Sequence, residues 1–372
     1  MEQRSPLSKI HLDAAAFAAH AAKRARQGRI VLWAGSLLFA AVILDQALYA
    51  ADVISFGSAT WRPVLYAYLI WAIALGANQY LVRGEIGLRA LFILPAALFT
   101  VAVVVFPTIF GLSIAFTNWN LNSSSARQFN GMENIVSMFH DSFYGNALIN
   151  TIYYVLAVFV EYAIAFGLAL LLNVNVIGRR FFRVVFLMPF MLSPVAVSWM
   201  IGKSLMETRF GPIATLARWL GWSDPSFFSS PWVARASIES MDAWCWIPFL
   251  TILILAGLQA MPREIIEASE VDGASKWQSF WKITFPLMLP VSTTAVILRI
   301  IFKLKLGDLV INVTAGAPGG ATDTVTSYIY RVYRDRSNVG YGTMLAMVYL
   351  VLIIIFVTLL LKLVSSRMQK VT

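Results

Sequence analysis

Apolar residues run in long blocks along this chain. Eight stretches, at about 30–50, 62–82, 91–116, 147–173, 183–203, 240–259, 286–306 and 344–364, are dominated by aliphatic and aromatic side chains. Each lies near the ~20 residues that a helix needs to cross the hydrocarbon core of a bilayer. None alternates apolar and polar positions with period two, so a β-barrel is not indicated. In lipid every backbone N–H and C=O must be satisfied within the span, which leaves helix. The predicted fold class is all-α: a polytopic membrane protein of about eight transmembrane helices.

Composition agrees. The 372 residues are 59% hydrophobic and 13% charged, about half the charged share of a soluble domain. The formal charge of +10 raises the question of nucleic acid. The basic residues, however, sit at the ends of apolar blocks and in the tail rather than in one stripe, so we expect membrane lipid and no nucleic acid. The single cysteine, Cys245, excludes an intrachain disulfide, and His11, His20 and His140 show no metal-ligand spacing. No metal site is expected. The polar, basic lead of residues 1–29 is too long for a cleaved signal peptide, so the first span reads as retained.

An even number of spans puts both termini on one side. That side carries Arg4, Lys9, Lys23, Arg24, Arg26 and Arg29, then Arg83 and Arg89, then Arg179, Arg180 and Arg183, then Lys362, Arg367 and Lys370. The positive-inside rule makes it cytoplasmic. Segment 303–336 falls on the other side, yet holds Lys303, Lys305, Arg331, Arg334 and Arg336, an excess that needs an account. The outer segment 204–239 contains TRFGPIATLARWLGW, which reads as a surface helix.

One cytoplasmic loop stands out: EIIEASEVDGASKWQSFWKITFPLMLP, from 264 to 290. Pro262 suits a helix start, and Glu264 and Glu267 favour its first turns. Asp272-Gly273 reads as a stop with a left-handed cap. Ser275 stands three residues before Gln278, the spacing of a capping box, so a second helix begins there and carries Trp277, Phe280 and Trp281. An aromatic face on a short cytoplasmic helix serves either a lipid surface or a groove on a soluble partner.

Glu267-Ala268-Ser269, Asp272-Gly273-Ala274 and the spaced Phe280, Ile283, Pro286 and Pro290 resemble the EAA loop of bacterial ABC importer permeases, with Ser269 in place of the second alanine. LFILPAALFTVAVVVFPTIFGLSIAFTNW (91–119), NTIYYVLAVFVEYAIAFGLALLLN (150–173), RRFFRVVFLMPFMLSPV (179–195), FGPIATLARWLG (210–221) and TAGAPGGATDTVTSYIYR (314–331) resemble further blocks of the maltose-type sugar permeases, the first of the two permease partners in particular. The resemblance covers about 91–372. It implies a six-span type I importer core there, with the coupling loop at 260–285, preceded by a basic cytoplasmic tail at 1–29 and two extra spans at 30–90.

The resemblance further implies that the loop docks into a cleft on a separate ATPase subunit through Glu267, Ala268, Asp272, Gly273, Ala274, Trp277 and Phe280. Two ATPase subunits, a second permease subunit and a periplasmic or lipid-anchored solute-binding protein are the implied partners, in the bacterial inner membrane. ATP and Mg would sit on the ATPase, so no cofactor is expected on this chain. Gly202-Lys203-Ser204 is no phosphate loop, because Val197 stands where the first glycine is required. No catalytic site is expected, and the chain reads as a transport subunit rather than an enzyme.

Ionisable groups inside spans are functional hypotheses by default; here they are Asp45, which lies near a span end and reads as interfacial, and Glu161, Asp242, Arg299, Lys303 and Lys305. The i, i+4 spacing puts Arg299 and Lys303 on one helix face, where two like charges need an anion between them. By the resemblance, both fall where maltose-type permeases place small polar sugar-contacting residues. Asp242 and Trp246, and Phe190 and Ser193, fall near other cavity-lining positions. Two readings stay open. In one, Arg299 and Lys303 grip an acidic sugar derivative; in the other, Arg299 pairs with Glu161 or Asp242 and the solute is a neutral oligosaccharide or a glycerol-phosphate-type molecule. A secondary transporter is a distant alternative, since no duplicated halves are visible.

Overall fold

The computed structural model describes residues 6–50, 53–54, 60–124, 127–174 and 178–368, with the side chains at 6–19, 50, 179–180, 182, 263 and 366–368 left out of account. Arg4 and Lys370 of the sequence reading lie outside the described residues, and nothing is said of the Lys9, His11, Arg179, Arg180 and Arg367 side chains. Among the described residues the regular structure is helical, with two isolated bridges, Thr117 to Phe129 and Asn120 to Asn338. The chain forms two compact units, Met1–Phe110 and Gly111–Thr372.

The first unit contains α1 (Pro6–Ala50) and most of α2 (Arg62–Ala115). A straight helix of 54 residues would be roughly 80 Å long, more than twice the hydrocarbon core. Gly84 resolves the excess. Its φ of 56° and ψ of −126° interrupt the helix in a conformation open to glycine alone. The chain folds back there, so that the Tyr68 hydroxyl donates to the Leu98 carbonyl at 2.5 Å. α1 packs on the first arm of α2, with Phe39 stacked on Trp71 at 5.7 Å and Trp71 Nε1 donating to Ser36 Oγ at 3.1 Å.

The second unit holds α3 (Glu133–His140), α4 (Ser142–Asn173), α5 (Arg179–Met191), α6 (Pro194–Leu205), α7 (Pro212–Trp219), α8 (Pro231–Ala260), α9 (Arg263–Val271), α10 (Lys276–Lys303), α11 (Asp308–Val313), α12 (Val325–Arg334) and α13 (Val339–Met368). Among the described residues of the whole chain, six helical stretches, those of α1 and α2 included, are long and apolar enough to span, and α5 with α6 forms one broken span. Dividing α2 at Gly84 raises these seven to the eight expected.

Two expectations change. The uninterrupted span at 183–203 is two helices meeting at 96°. Pro194 has no N–H to continue a helix and forces the residue before it to be extended. Ser193 accordingly has ψ 147° and caps α6 by accepting from Ala196 N at 3.2 Å. The surface helix expected within TRFGPIATLARWLGW, residues 208–222, is present as the shorter α7, held by an Arg218 hydrogen bond of 2.7 Å to the Thr208 carbonyl.

The core of this unit is where α4, α8 and α10 meet. Ala165 and Ala169 of α4 are fully buried beside Leu250, Ile254 and Leu258 of α8 and Met288 and Ala295 of α10. Small residues let helix backbones approach closely, which is how helices associate in lipid, where apolar burial alone gives little drive. The opposite face of α4 exposes Ile149, Ile152, Leu156 and Val160, as a lipid-facing surface requires.

A polar clamp closes one end. Asp141 caps α4, with Oδ1 accepting from Phe143 N at 3.0 Å and Tyr144 N at 3.2 Å, while Oδ2 accepts from the Tyr328 hydroxyl at 2.6 Å and the Tyr341 hydroxyl at 2.7 Å. Burial pushes this carboxyl up, but the four donors outweigh it and hold it below the usual carboxylate range. A depressed carboxyl contributes stability fully above its unfolded pKa of about 4 and loses it as pH falls through the folded value. Thermal melting of the solubilised protein should therefore drop between about pH 5 and pH 3, and Asp141→Asn should melt lower at pH 7 and show a flatter dependence across that window.

Candidate functional site

Three helices bring five ionisable side chains to one buried point. α4 supplies Glu161, α8 supplies Glu239 and Asp242, and α10 supplies Arg299 and Lys303. The Arg299 guanidinium grips Glu161 with two bonds, Nε to Oε2 at 2.5 Å and a terminal nitrogen to Oε1 at 2.9 Å, and also pairs with Asp242 Oδ2. Lys303 Nζ lies 2.9 Å from Glu161 Oε1, 2.5 Å from Asp242 Oδ2 and 2.6 Å from Glu239 Oε2. Arg299 and Lys303 are each only 1% exposed.

The helical register explains the assembly. Arg299 and Lys303 do share one face of α10, and the anions needed between them are Glu161 and Asp242. Glu239, Asp242 and Trp246, at i, i+3 and i+7, line one face of α8. Glu161, Glu239 and Asp242 each bring an oxygen within 4.8 Å of the other two, a spacing compatible with a cation site. The two cationic side chains reach into that cluster. The fork of Arg299 matches carboxylate geometry, and the guanidinium also lies 4.8 Å over the Trp246 ring.

A cavity of about 280 Å³ opens beside this network, lined by Phe190, Leu192, Pro194, Asp242, Cys245, Trp246, Phe302 and the turn from Lys305 to Leu309. Its walls are aromatic: Trp246 lies 4.7 Å from Phe302 and 5.4 Å from Phe190. Of the six residues singled out as solute contacts, Phe190, Asp242 and Trp246 line it. Ser193 instead caps α6, and Arg299 and Lys303 lie behind the wall with their charges engaged. The sequence reading named Lys305 as an intramembrane charge without placing it here, and it missed Phe302 and Glu239. Glu239 could have been found from its i, i+3 spacing to Asp242.

The loop at 264–290 has the geometry its pattern predicts. α9 begins after Pro262, Asp272 ends it, and Gly273 adopts φ 76°, where any other side chain is strained. Both halves of the capping box form: Ser275 Oγ accepts from Gln278 N at 3.3 Å, and Ser275 N donates to Gln278 Oε1 at 2.9 Å. Ser269, where the EAA pattern has alanine, gives its hydroxyl to the Ile266 carbonyl at 2.7 Å and meets Ser279 Oγ at 3.1 Å, joining α9 to α10. Phe280 packs inward on Phe166 at 5.6 Å. Glu267, Ala268 and Asp272 are exposed, Ala274 is half-buried, and Trp277 is 71% exposed. A groove of about 550 Å³ runs past Ile266, Glu270, Ala274, Trp277 and Phe280.

Residues 162–370 match the family model described as binding-protein-dependent transport system inner membrane component. The chain belongs to that family. It is 31% identical over 295 residues to the sulfoquinovosyl glycerol transport system permease protein SmoG of Agrobacterium fabrum, covering 78% of this chain and 94% of the relative. It is 33% identical over 206 residues to the trehalose/maltose transport system permease protein MalF of Thermococcus litoralis, covering 55% and 69%. The fold matches a chain of a bacterial ABC transporter involved in the import of the acidic polysaccharide alginate, with a TM-score of 0.65 and 22% identity over 75% of this chain and 95% of that one. As a member of the family the chain is a multi-pass permease, and the matched region contains the aromatic cavity, the capped loop at 264–290 and the ionic network except Glu161, which lies one residue before it.

Removing Arg299 leaves Glu161, Glu239 and Asp242 facing the single positive charge of Lys303. Arg299→Met should destabilise the protein by about 3–5 kcal/mol, read as loss of folded protein in a denaturant titration of the purified permease.

Proposed function

We propose that this permease moves a sugar or sugar derivative into the cytoplasm of a bacterial cell, driven by ATP hydrolysis on partner subunits. A binding protein delivers the solute, the cavity between Phe190, Trp246 and Phe302 receives it, and the loop at 260–285 transmits the power stroke. The observation that carries this reading is the helix pair, turned at Gly273 and with its second helix closed by the Ser275–Gln278 capping box, that holds Trp277 outward beside an open groove. Moving a two-state gate from mostly closed to mostly open requires a differential of roughly 5.5 kcal/mol. A rigid, capped element with an aromatic anchor can transmit such a load; a floppy loop cannot.

Aromatic walls with a few polar groups suit a sugar, whose ring has apolar faces and polar edges. Known relatives support the solute class: their names specify sulfoquinovosyl glycerol and trehalose or maltose, and the alginate transporter has been seen with a periplasmic protein holding an alginate pentasaccharide. In this reading the loop residues Glu267, Ala268, Asp272, Gly273, Ala274, Trp277 and Phe280 meet one of two ATPase subunits, which hold ATP and Mg. A second permease subunit completes the pore, the termini are cytoplasmic, and residues 30–90 add two spans to the core at 91–372. Arg299 and Lys303 act from behind the cavity, holding α4, α8 and α10 together around the solute rather than touching it.

The test is ATP hydrolysis in lipid vesicles holding the whole transporter with a sugar-loaded binding protein. Trp277→Ala and Gly273→Val should each lower sugar-stimulated hydrolysis by about tenfold or more while the chain still inserts. Full stimulation in both variants would show that the loop does not couple to the ATPase.

A further inference from the structure

We propose that Lys305 is the residue that reads the solute, and that it selects a sugar bearing a carboxylate or sulfonate. This rests on the import reading above and names the substrate class of the same cavity.

The starting point is the excess of basic residues between 303 and 336. The structure gives four of the five a partner. Lys303 is inside the buried network, Arg331 pairs with Asp323, Arg336 donates to the Tyr328 hydroxyl at 3.2 Å, and Arg334 donates to the Tyr330 hydroxyl at 3.1 Å. Lys305 is exposed, lines the cavity, and its ammonium makes no hydrogen bond or ion pair among the described residues.

Its backbone, in contrast, is pinned. Lys305 lies in the turn between α10 and α11, and its N–H donates to the Phe302 carbonyl at 3.1 Å. On one side the Leu304 carbonyl accepts from the Tyr349 hydroxyl at 2.7 Å and from Thr326 Oγ1 at 3.3 Å. On the other, the Leu306 carbonyl accepts from the Thr324 hydroxyl. A Cβ on Gly307 would come within 2.9 Å of the Thr326 methyl, so the turn is tightly seated. A rigid turn thus presents a free ammonium at the edge of an aromatic cavity, a preorganised arrangement for an anionic ligand group.

The charged groups around it fit a sugar acid. Asp242 lines the same cavity, but its Oδ2 is engaged by Arg299 and Lys303. Asp308 is exposed on the lining and forms no ion pair with Lys305. A carboxylate or sulfonate on Lys305 leaves Asp308 to accept from sugar hydroxyls, while the ring lies against Trp246 and Phe302. Arg299 and Lys303 cannot take the anionic group, because three carboxylates already surround them.

The experiment uses the complete transporter in lipid vesicles with its binding protein. ATP hydrolysis is titrated with paired sugars, each offered as the uronate and as the neutral parent. The unmodified protein should respond at lower concentration to the uronates. Lys305→Gln should raise the half-maximal uronate concentration by about 10–100-fold, the worth of one hydrogen bond to a charged group. It should leave the neutral parents unchanged, and Lys305→Arg should restore most of the response. Equal shifts for both sets, or no shift for either, would overturn the role of Lys305 and leave sugar import standing. Failure of every sugar to stimulate the unmodified transporter would overturn the import reading and this inference with it.

Discussion

Arg299 and Lys303 carry two positive charges into the interior of the helix bundle, where an unpaired charge costs several kcal/mol. Glu161 from α4 and Glu239 and Asp242 from α8 answer them, so the network joins all three central helices. Apolar side chains are a weak guide to helix arrangement in lipid, because lipid tails solvate them equally well. Directional ion pairs supply the register that apolar contact leaves open. The small residues Ala165, Ala169 and Ala295 then allow the close approach that the ion pairs require.

The same network sets the character of the cavity beside it. Trp246 stands between the two, with the Arg299 guanidinium over its ring and Phe190 and Phe302 alongside. Asp242 likewise belongs to both. Below, α10 runs as one helix, with a π-helical turn at Phe280–Thr284, from the capped loop to Lys303. A displacement at Trp277 therefore reaches the ionic network and the turn carrying Lys305 along one helix, a physical connection between the loop proposed to meet an ATPase and the cavity proposed to receive the solute.

Much of this was legible in the residues alone. Apolar blocks of about twenty residues set the helical membrane class, and the loop at 264–290 declared its caps, its turn and its aromatic face through spacing alone. Local chemistry fixes such features within a few residues, so a sequence carries them openly. Tertiary partners are different. The i, i+4 spacing of Arg299 and Lys303 showed that an anion had to lie between them, but not whether it came from the protein or from a solute. The nearest carboxylates in space, Glu161 and Asp242, are far away along the chain. The break at Ser193 was signalled by Pro194, and its 96° bend by nothing local. Lys305 stood in the sequence as one of several intramembrane charges, and only the partners of the other four basic residues in its segment set it apart.

The claim on which the account depends is that Glu161, Glu239, Asp242, Arg299 and Lys303 act as one structural unit. A double-mutant cycle of Glu161→Gln and Arg299→Met, read by denaturant unfolding of the purified permease, tests it most directly. The account predicts strong coupling: the double variant should be far less destabilised than the sum of the two singles, with an interaction of about 1.5–3 kcal/mol. Additive losses would contradict it. They would mean that Arg299 and Glu161 do not sustain one another in the folded protein, and would return Arg299 to the list of groups free to meet a solute.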